Sequence, residues 1–196
     1  MKVNETVIEV VRGSVTDQDV DAIVNAANTS MRGGGGIDGR IHRAAGPNMM
    51  EELIRVAPQG AKTGDVVVTG AYDLKQKFVF HTPGPVWRGG KNLEAHQLGD
   101  CYRGCLEAAD RLGLESIAYC SISTGVYGYP IDLAAPLAIT IVKFYLERHP
   151  ETSLRRVLFA MYGADEFEVF SQALTTAEGR SDSPFLEERG LGGEVS

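Results

Sequence analysis

The stretch from Asn25 to Gly46 combines residue types that bind phosphate with a residue type that orders water. It reads Asn-Ala-Ala-Asn, later four consecutive glycines at 33–36, then an Ile and Asp38. Glycine has no Cβ atom, so its backbone can approach a ligand closely. Apolar residues at helical spacing follow, and the N–H groups at the start of a helix attract anions. The stretch therefore predicts a pyrophosphate site beside a carboxylate.

Other interpretations of this loop fit less well. It lacks the Gly-Lys-Ser/Thr ending of a nucleotide-hydrolysing P-loop, and its spacing is not that of the dinucleotide fingerprint. A flexible surface loop would not need the helix or the flanking Asn and Asp residues. Taken alone, Asp38 is explained by the preference of helix starts for acids, and Asn25 and Asn28 are ordinary turn formers. We interpret Asn25 as largely structural.

Four residues with possible metal-binding side chains are interpreted as structural. His42 lies on a predicted helix face and His81 in a predicted strand. Cys101 and Cys105 are one helical turn apart on an apolar stripe, which is typical of core residues. No His, Cys and Asp spacing in the sequence resembles a closed zinc set, so we predict no metal site.

Alternating strands and helices must position these residues. β-Branched and aromatic runs predict strands at 7–12, 22–26, 66–69, 78–82, 116–120 and 156–160. Helical spacing predicts helices from the glycines to Gly46-Pro47, along a stripe from 98 to 113, and over 133–148 and 165–176. This alternation is typical of a mostly parallel sheet covered on both faces.

Composition and charge narrow the class of protein. The 196 residues are 43% hydrophobic and 23% charged, which fits one soluble domain. A net charge of -7 without a dense Lys or Arg run disfavours direct nucleic-acid binding. No apolar run approaches the ~18 residues of a membrane span. Three cysteines and a polar start at Met1–Thr6 predict a reducing, cytoplasmic location.

Residues 1–177 are predicted to form the domain. Residues 178–196 are predicted to form a mobile polar tail, in which Phe185-Leu186 is the apolar point.

The sequence resembles the macrodomain family, and within it the MacroD-type branch that includes the bacterial O-acetyl-ADP-ribose deacetylases. The resemblance rests on Asn25-Ala-Ala-Asn28, on Gly33 to Gly39, on His81 to Arg88 and on Ile122 to Pro130. These motifs are distributed over most of residues 7–175. The resemblance implies a three-layer αβα fold with a mixed sheet of about six strands. It also implies an ADP-ribose cleft across the carboxyl edge of that sheet and no cofactor.

The resemblance assigns roles to individual residues. Asn28 would hold the distal ribose and Asp38 would order a water beside the scissile bond. Tyr127 would lie against that ribose, and Tyr162 would be the adenine platform. The full set of implied ligand contacts is Ser14, Val15, Ala27, Gly33, Gly34, Gly35, Gly36, Ile37, Ser123, Thr124, Gly125, Val126, Tyr127 and Tyr162.

One position departs from the family pattern. Where the family usually reads Gly-Asp-Ile-Thr, this chain has Gly13-Ser-Val-Thr16. The family Asp accepts a hydrogen bond from the adenine amino group, and such a charge-assisted bond contributes about 1.5–3 kcal/mol, against about 0.5–1.5 for a neutral one. Because Ser14 can still accept, we predict weaker adenine selectivity without lost binding.

Two function classes follow from these residues. The first is a hydrolase that removes acetyl from O-acetyl-ADP-ribose or mono-ADP-ribose from acidic side chains of proteins, and the second is a non-catalytic ADP-ribose reader. The presence of both Asn28 and Asp38 favours the hydrolase. The start of a helix favours the charged form of an acid, which makes a poor general base, so either burial offsets this effect or Asp38 only orients the water, and we favour orientation. Regulation of RNA processing through protein contact is a third interpretation.

Overall fold

A seven-stranded mixed sheet forms the middle layer of the protein. The computed structural model describes residues 1–179. Its strands are β1 Lys2–Val3, β2 Thr6–Arg12, β3 Ala22–Ala27, β4 Val67–Gly70, β5 Phe78–Pro83, β6 Ser116–Tyr119 and β7 Arg156–Met161. They are ordered β1-β2-β7-β6-β3-β5-β4. The outermost pairs are antiparallel and the four inner pairs are parallel, so the predicted mixed, mostly parallel sheet is confirmed.

Five helices cover the sheet as two outer layers. They are α1 Gly36–Ala45, α2 Pro47–Val56, α3 Glu94–Arg111, α4 Ile131–Arg148 and α5 Ala164–Gly179. Helices α3, α4 and α5 pack together on one face, and α1 and α2 lie against the other. The three-layer αβα prediction is confirmed, and each layer buries its apolar side against the sheet.

Two elements were not predicted, for different reasons. Strand β1 has two residues, and it pairs antiparallel with the next strand through Lys2↔Val7 and Val3↔Thr6, too short a run for a periodic signal. Helix α2 was not predicted because Pro47 was interpreted as the end of the preceding helix. Proline is also common in the first turn of a helix, where its missing N–H leaves no hydrogen bond unmade. Gly46, at φ 78°, makes the sharp turn into α2.

The inner strands are buried on both faces, as the fold class requires. On one face Phe80, Tyr102, Tyr119, Phe159 and Phe170 belong to one apolar cluster with α3, α4 and α5. The buried Tyr119 hydroxyl donates to the Tyr102 carbonyl at 2.8 Å, so the polar group in this cluster has a partner. On the other face a second cluster packs α1 on the sheet. These rigid strands fix where the loops at their carboxyl ends meet.

The last helix runs slightly past its predicted end. Residues 178 and 179, assigned to the tail from sequence, are the final residues of α5. The remainder of that segment, including Phe185-Leu186, lies outside the described residues. Among the helices of residues 1–179, none is both long and apolar enough to cross a membrane.

Candidate functional site

A cleft of about 470 Å³ opens at the carboxyl ends of the inner parallel strands. Its floor is formed where β3, β6 and β7 end, which is where open α/β sheets usually bind ligands. Of the predicted site residues, the structure brings together in this cleft Ser14, Val15, Ala27, Asn28, Gly34, Gly35, Gly36, Ile37, Asp38, Ser123, Thr124, Gly125, Val126, Tyr127 and Tyr162. Whether each contacts a ligand stays a prediction.

Gly33 is the predicted site residue that does not line the cleft. Its φ of 79° places it in the left-handed region, and its carbonyl oxygen accepts a hydrogen bond from Asn28 Nδ2 at 2.9 Å. The Oδ1 atom of Asn28 accepts from the Ser30 hydroxyl. Gly33 therefore shapes the loop, and Asn28 fastens the loop to the end of β3.

The glycine loop presents backbone N–H groups to the cleft. Helix α1 begins at Gly36, the last of the four glycines, and its first intrahelical bond runs from Gly39 N to Gly35 O at 3.2 Å. The N–H groups before Gly39 therefore have no partner within the helix. A Cβ on Gly39 would lie 2.7 Å from the Gly34 carbonyl oxygen, so the loop rests directly on the helix. This end of α1 is suited to an anion.

A second loop, residues 121–130, forms the opposite wall. Ser123 has φ 66°, and its carbonyl accepts from Tyr129 N at 3.0 Å, which closes the loop on itself. Trp87 braces it from outside, because its backbone N–H donates to the Tyr127 carbonyl at 2.9 Å and its ring packs on Tyr129 with centroids 4.6 Å apart. Val126 at the tip is fully exposed.

Asp38 lies in the first turn of α1 with its carboxylate almost fully buried. Its Oδ1 atom accepts a hydrogen bond of 2.6 Å from Asn25 Nδ2. His42 Nε2 is 3.2 Å from the same oxygen, within ion-pair distance but without the alignment of a hydrogen bond. The Oδ2 atom accepts no hydrogen bond from residues 1–179, and a Cβ on Gly34 would lie 3.1 Å from it. One oxygen is thus anchored, and the other is available on the cleft side.

A buried chain of hydrogen bonds continues behind Asp38 and fixes its orientation. Thr69 Oγ1 donates to the Gly70 carbonyl at 3.0 Å, so it accepts from His81 Nε2 at 2.9 Å. His81 Nδ1 is then the acceptor for Asn25 Nδ2 at 3.1 Å. The predicted structural roles of Asn25 and His81 fit this arrangement, which assigns the His81 proton to Nε2.

Burial keeps His81 neutral. It lowers the pKa of His81 from 6.5 to about 3, with the neighbouring His42 lowering it further and Asp38 opposing the shift. A neutral ring can accept from Asn25, whereas a protonated ring would have to donate at both nitrogens. The hydrogen bonds that orient Asp38 through Asn25 therefore stay intact only while His81 is neutral.

We expect this histidine to make the protein sensitive to acid. Between pH 6.5 and about 3 the unfolded chain binds a proton at His81 that the folded chain does not. The free energy of unfolding should therefore be retained above pH 6.5 and fall by up to about 1.4 kcal/mol per pH unit below it. Urea unfolding of the native chain and the His81→Gln variant at a series of pH values measures the difference in slope.

A matched control is the exposed His96 of α3, whose side chain is 72% accessible. The His96→Gln variant should keep the native dependence on pH, because this side chain is already solvent-exposed in the folded chain. If His81→Gln shows the same slope below pH 6.5 as the native chain, the buried neutral histidine is not the source of the effect.

Cys120 lies at the floor of the cleft, immediately after β6. Burial raises its pKa to about 12, against a smaller lowering by the Ala26 backbone. The thiol is therefore protonated at neutral pH and is a poor nucleophile. Burial also raises the pKa of Cys101 to about 11 and raises the pKa of Cys105, which agrees with their predicted core role. Within residues 1–179 no cluster of His, Cys, Asp or Glu side chains is arranged to hold a metal ion.

The end of the cleft near Ser14 and Tyr162 is formed by β2 and β7. Gly13 N donates to the Met161 carbonyl at 2.9 Å, which places the two loops that follow these strands side by side. Ser14 Oγ lies 2.8 Å from Thr16 Oγ1 and accepts from Thr16 N at 3.4 Å, so it caps a short 3-10 turn. Tyr162 is 62% exposed, as a platform for a flat group would be.

Sequence reasoning missed the cleft residues that come from separate parts of the chain. They are Ala26, Arg40, Gly84, Cys120, Ser121, Ala160 and Glu166. Glu166 follows Tyr162 by four residues in the first turn of α5 and accepts from Gly163 N at 3.3 Å. Arg40 was detectable in principle, because it lies two residues after Asp38 in the same helix. The others required knowledge of which strands are neighbours.

Fold and site together define a three-layer α/β domain whose cleft joins a glycine loop, a helix start and a buried carboxylate. The chain belongs to the macro domain family: the Macro domain model matches residues 24–138. An O-acetyl-ADP-ribose deacetylase of Cronobacter sakazakii is 46% identical over 169 residues, covering 85% of this chain and 93% of that protein. A macro domain-containing protein of Caldanaerobacter subterraneus is also 46% identical, over 85% of this chain and 94% of its own.

Solved structures agree with the family assignment. An Oceanobacillus iheyensis macrodomain with ADP has a TM-score of 0.86 at 34% identity and covers 92% of this chain and 96% of its own. A Trypanosoma brucei macrodomain in complex with ADP-ribose has a TM-score of 0.78 at 42% identity, over 85% of this chain and 68% of its own. The family predicted from the motifs is confirmed.

Proposed function

We propose that this protein binds ADP-ribose in the cleft and hydrolyses ester bonds to its distal ribose. The substrates are O-acetyl-ADP-ribose and proteins that carry mono-ADP-ribose on Asp or Glu side chains. The proposal is supported by relatives named O-acetyl-ADP-ribose deacetylase at 45–46% identity and by structural neighbours whose titles name ADP and ADP-ribose. The three free, buried cysteines are in keeping with action in a reducing cytoplasm.

The observation that carries the proposal is the half-anchored carboxylate of Asp38. Asn25 holds Oδ1, while Oδ2 accepts no hydrogen bond from residues 1–179 and lies beside Gly34 in the wall of the cleft. With the diphosphate on the N–H groups at the start of α1, the distal ribose would lie between Asn28 and the loop 121–130. A water held by Oδ2 would then face the ribose ester. A reader domain needs no buried carboxylate at this point.

The chemistry requires little acid catalysis. In the acetyl ester, water adds to the carbonyl carbon, the bond from that carbon to the ribose oxygen breaks, and the ribose oxygen takes the proton that water loses. The products are acetate and ADP-ribose. In a link between ribose and a protein carboxylate, water adds to the ribose carbon and the bond from that carbon to the carboxylate oxygen breaks. The carboxylate is itself the leaving group and departs without a proton, and the proton that water loses goes to solvent. Orienting the water and fixing the ribose are therefore the main tasks, and positioning of this kind contributes several kcal/mol.

A side-by-side comparison of substrates tests which bonds to the distal ribose the protein hydrolyses. Purified protein should release acetate from O-acetyl-ADP-ribose and ADP-ribose from Glu- or Asp-linked proteins, and should leave Ser- and Arg-linked proteins intact. Ser and Arg linkages release an alcohol or a guanidine from the ribose carbon, which requires a proton donor, whereas Asp38 is proposed only to orient water. Mass spectrometry of the products after equal incubation measures this. Binding of ADP-ribose without release from any substrate would identify a reader instead.

A further inference from the structure

An arginine at one end of the cleft has donors that the protein does not use. The Arg40 guanidinium lies over the Tyr162 ring, with Cζ 4.0 Å from the ring centroid. Both side chains are exposed and both line the cleft. Within residues 1–179 Arg40 makes no ion pair and no side-chain hydrogen bond, so its contact with Tyr162 is what holds it here. A planar cation with five free N–H donors therefore faces the cleft.

The neighbouring acceptors at this end are partly engaged by hydrogen bonds within the protein. Ser14 Oγ accepts from Thr16 N and shares a hydrogen bond of 2.8 Å with Thr16 Oγ1. Glu166 Oε2 accepts from the N–H of Gly163 at 3.3 Å, which holds that carboxylate against the first turn of its own helix. A group that enters here meets a strong, unsatisfied donor set first and acceptors that are already partly occupied.

We infer that this end of the cleft binds the base of a purine diphosphate ribose and accepts 6-oxopurines as well as adenine, with Arg40 as the residue that reads the base. The inference rests on the proposed function. A 6-oxopurine presents two acceptors, N7 and O6, on the edge that a guanidinium contacts in bidentate fashion. Adenine presents N7 beside an amino donor, and an Arg side chain has no acceptor for that amino group. The N1–H of the 6-oxopurine is left for Ser14 or Glu166.

The position of the base follows from the order of groups along the cleft. The start of α1 takes the diphosphate, and Arg40 lies one helical turn further along the same helix. Tyr162 and Ser14 are brought to the same end by the pairing of β2 with β7. Because the guanidinium itself lies over the Tyr162 ring, a base meets its N–H donors edge-on when it lies level with the guanidinium, next to the Arg40–Tyr162 pair. Lysine at position 40 would keep the charge but not the planar fork.

The test is the ratio of two dissociation constants measured by isothermal titration, for inosine diphosphate ribose and for ADP-ribose. In the native chain the two constants should agree within about threefold. In both Arg40→Ala and Arg40→Lys the inosine ligand should weaken about tenfold relative to ADP-ribose, because the bidentate contact is lost. Arg43→Ala removes the same charge from an exposed residue of α1 that does not line the cleft, and should leave the ratio unchanged.

The outcomes separate this inference from the function on which it rests. If ADP-ribose binds but the native chain prefers it more than about tenfold, or if the ratio is unchanged in Arg40→Ala, the base assignment is wrong and the function stands. If neither ligand binds to the folded native chain, both are wrong. Because Arg40 is exposed, the melting temperature of each variant should match the native value, which excludes misfolding as the cause.

Discussion

Replacing Asp38 with alanine is expected to slow turnover of O-acetyl-ADP-ribose by at least about 100-fold while the dissociation constant for ADP-ribose changes by less than about threefold. The carboxylate orients the water but is not needed to hold the diphosphate, which the N–H groups at the start of α1 bind. Single-turnover kinetics with the acetylated substrate, together with titration of ADP-ribose, measure the two quantities on the same preparations.

The Asp38→Asn variant separates charge from shape. Asn keeps an oxygen that can accept a hydrogen bond from Asn25 Nδ2, so the local structure should be preserved. The negative charge that orients the water is lost. Its turnover should fall nearly as far as that of Asp38→Ala. Asp132, the exposed acid in the first turn of α4, is a matched control outside the cleft, and Asp132→Ala should retain native turnover.

Asn28→Ala tests the second half of the mechanism. It removes the proposed ribose contact, and it also frees the Gly33 carbonyl from the hydrogen bond of 2.9 Å that fastens the glycine loop. We expect a comparable loss of turnover with a somewhat larger effect on ADP-ribose affinity than for Asp38→Ala. Full activity in both Asp38→Ala and Asn28→Ala would exclude the mechanism, since neither water orientation nor ribose positioning would then matter.

The parts of this site that are contiguous in sequence were predictable, because local chemistry decides them. Glycines at 33–36 before a helical pattern specify a loop and a helix start, and Asp38 follows in the first turn wherever the helix lies. Residues 123–127 were assigned to the site by the resemblance of the motif from Ile122 to Pro130, which directly follows the strand predicted at 116–120. Strand order was not needed for either conclusion.

What could not be predicted depends on which strands are neighbours. Only the family resemblance assigned Tyr162 and Ser14 to the same base. They meet because β2 pairs with β7, and that pairing joins residues nearly 150 positions apart. The support of Asp38 likewise needs β3 beside β5, which sets Asn25 opposite His81 in register. From sequence, Asn25 and His81 were each interpreted as structural, but nothing in the spacing linked them to each other or to the carboxylate. Such contacts carry no local periodic signal.

The contacts of Gly84 also depend on which strands are neighbours. Gly84 is the second position at which we expect substitution to have a large effect on ligand binding. It follows β5 and is buried, and a Cβ there would lie 2.1 Å from Ser123 Oγ and 2.6 Å from Ile122 Cγ2. Contacts this short are not tolerated, so one side must move. Ile122 is fully buried in the core, which leaves the remainder of the loop, from Ser123 onward, as the part that can shift. That loop is the opposite wall of the cleft.

The Gly84→Ala variant is therefore expected to weaken ADP-ribose binding by about tenfold or more and to lower the free energy of unfolding by about 1–3 kcal/mol, the usual cost of overpacking. Titration of ADP-ribose and urea unfolding measure the two effects. Gly179→Ala is the control, because a Cβ at the end of α5 meets no atom of residues 1–179 within 4 Å and should leave affinity and stability unchanged.

A second substitution decides whether the clash with the loop is the cause. In the double variant Gly84→Ala, Ser123→Gly the side chain responsible for the 2.1 Å contact is gone, and glycine is favoured at the φ of 66° found at position 123. The contact with Ile122 remains, so we expect partial recovery of ADP-ribose affinity relative to Gly84→Ala alone. If the double variant binds no better than Gly84→Ala, displacement of the loop by Ser123 is excluded, and pressure on the buried Ile122 accounts for the loss.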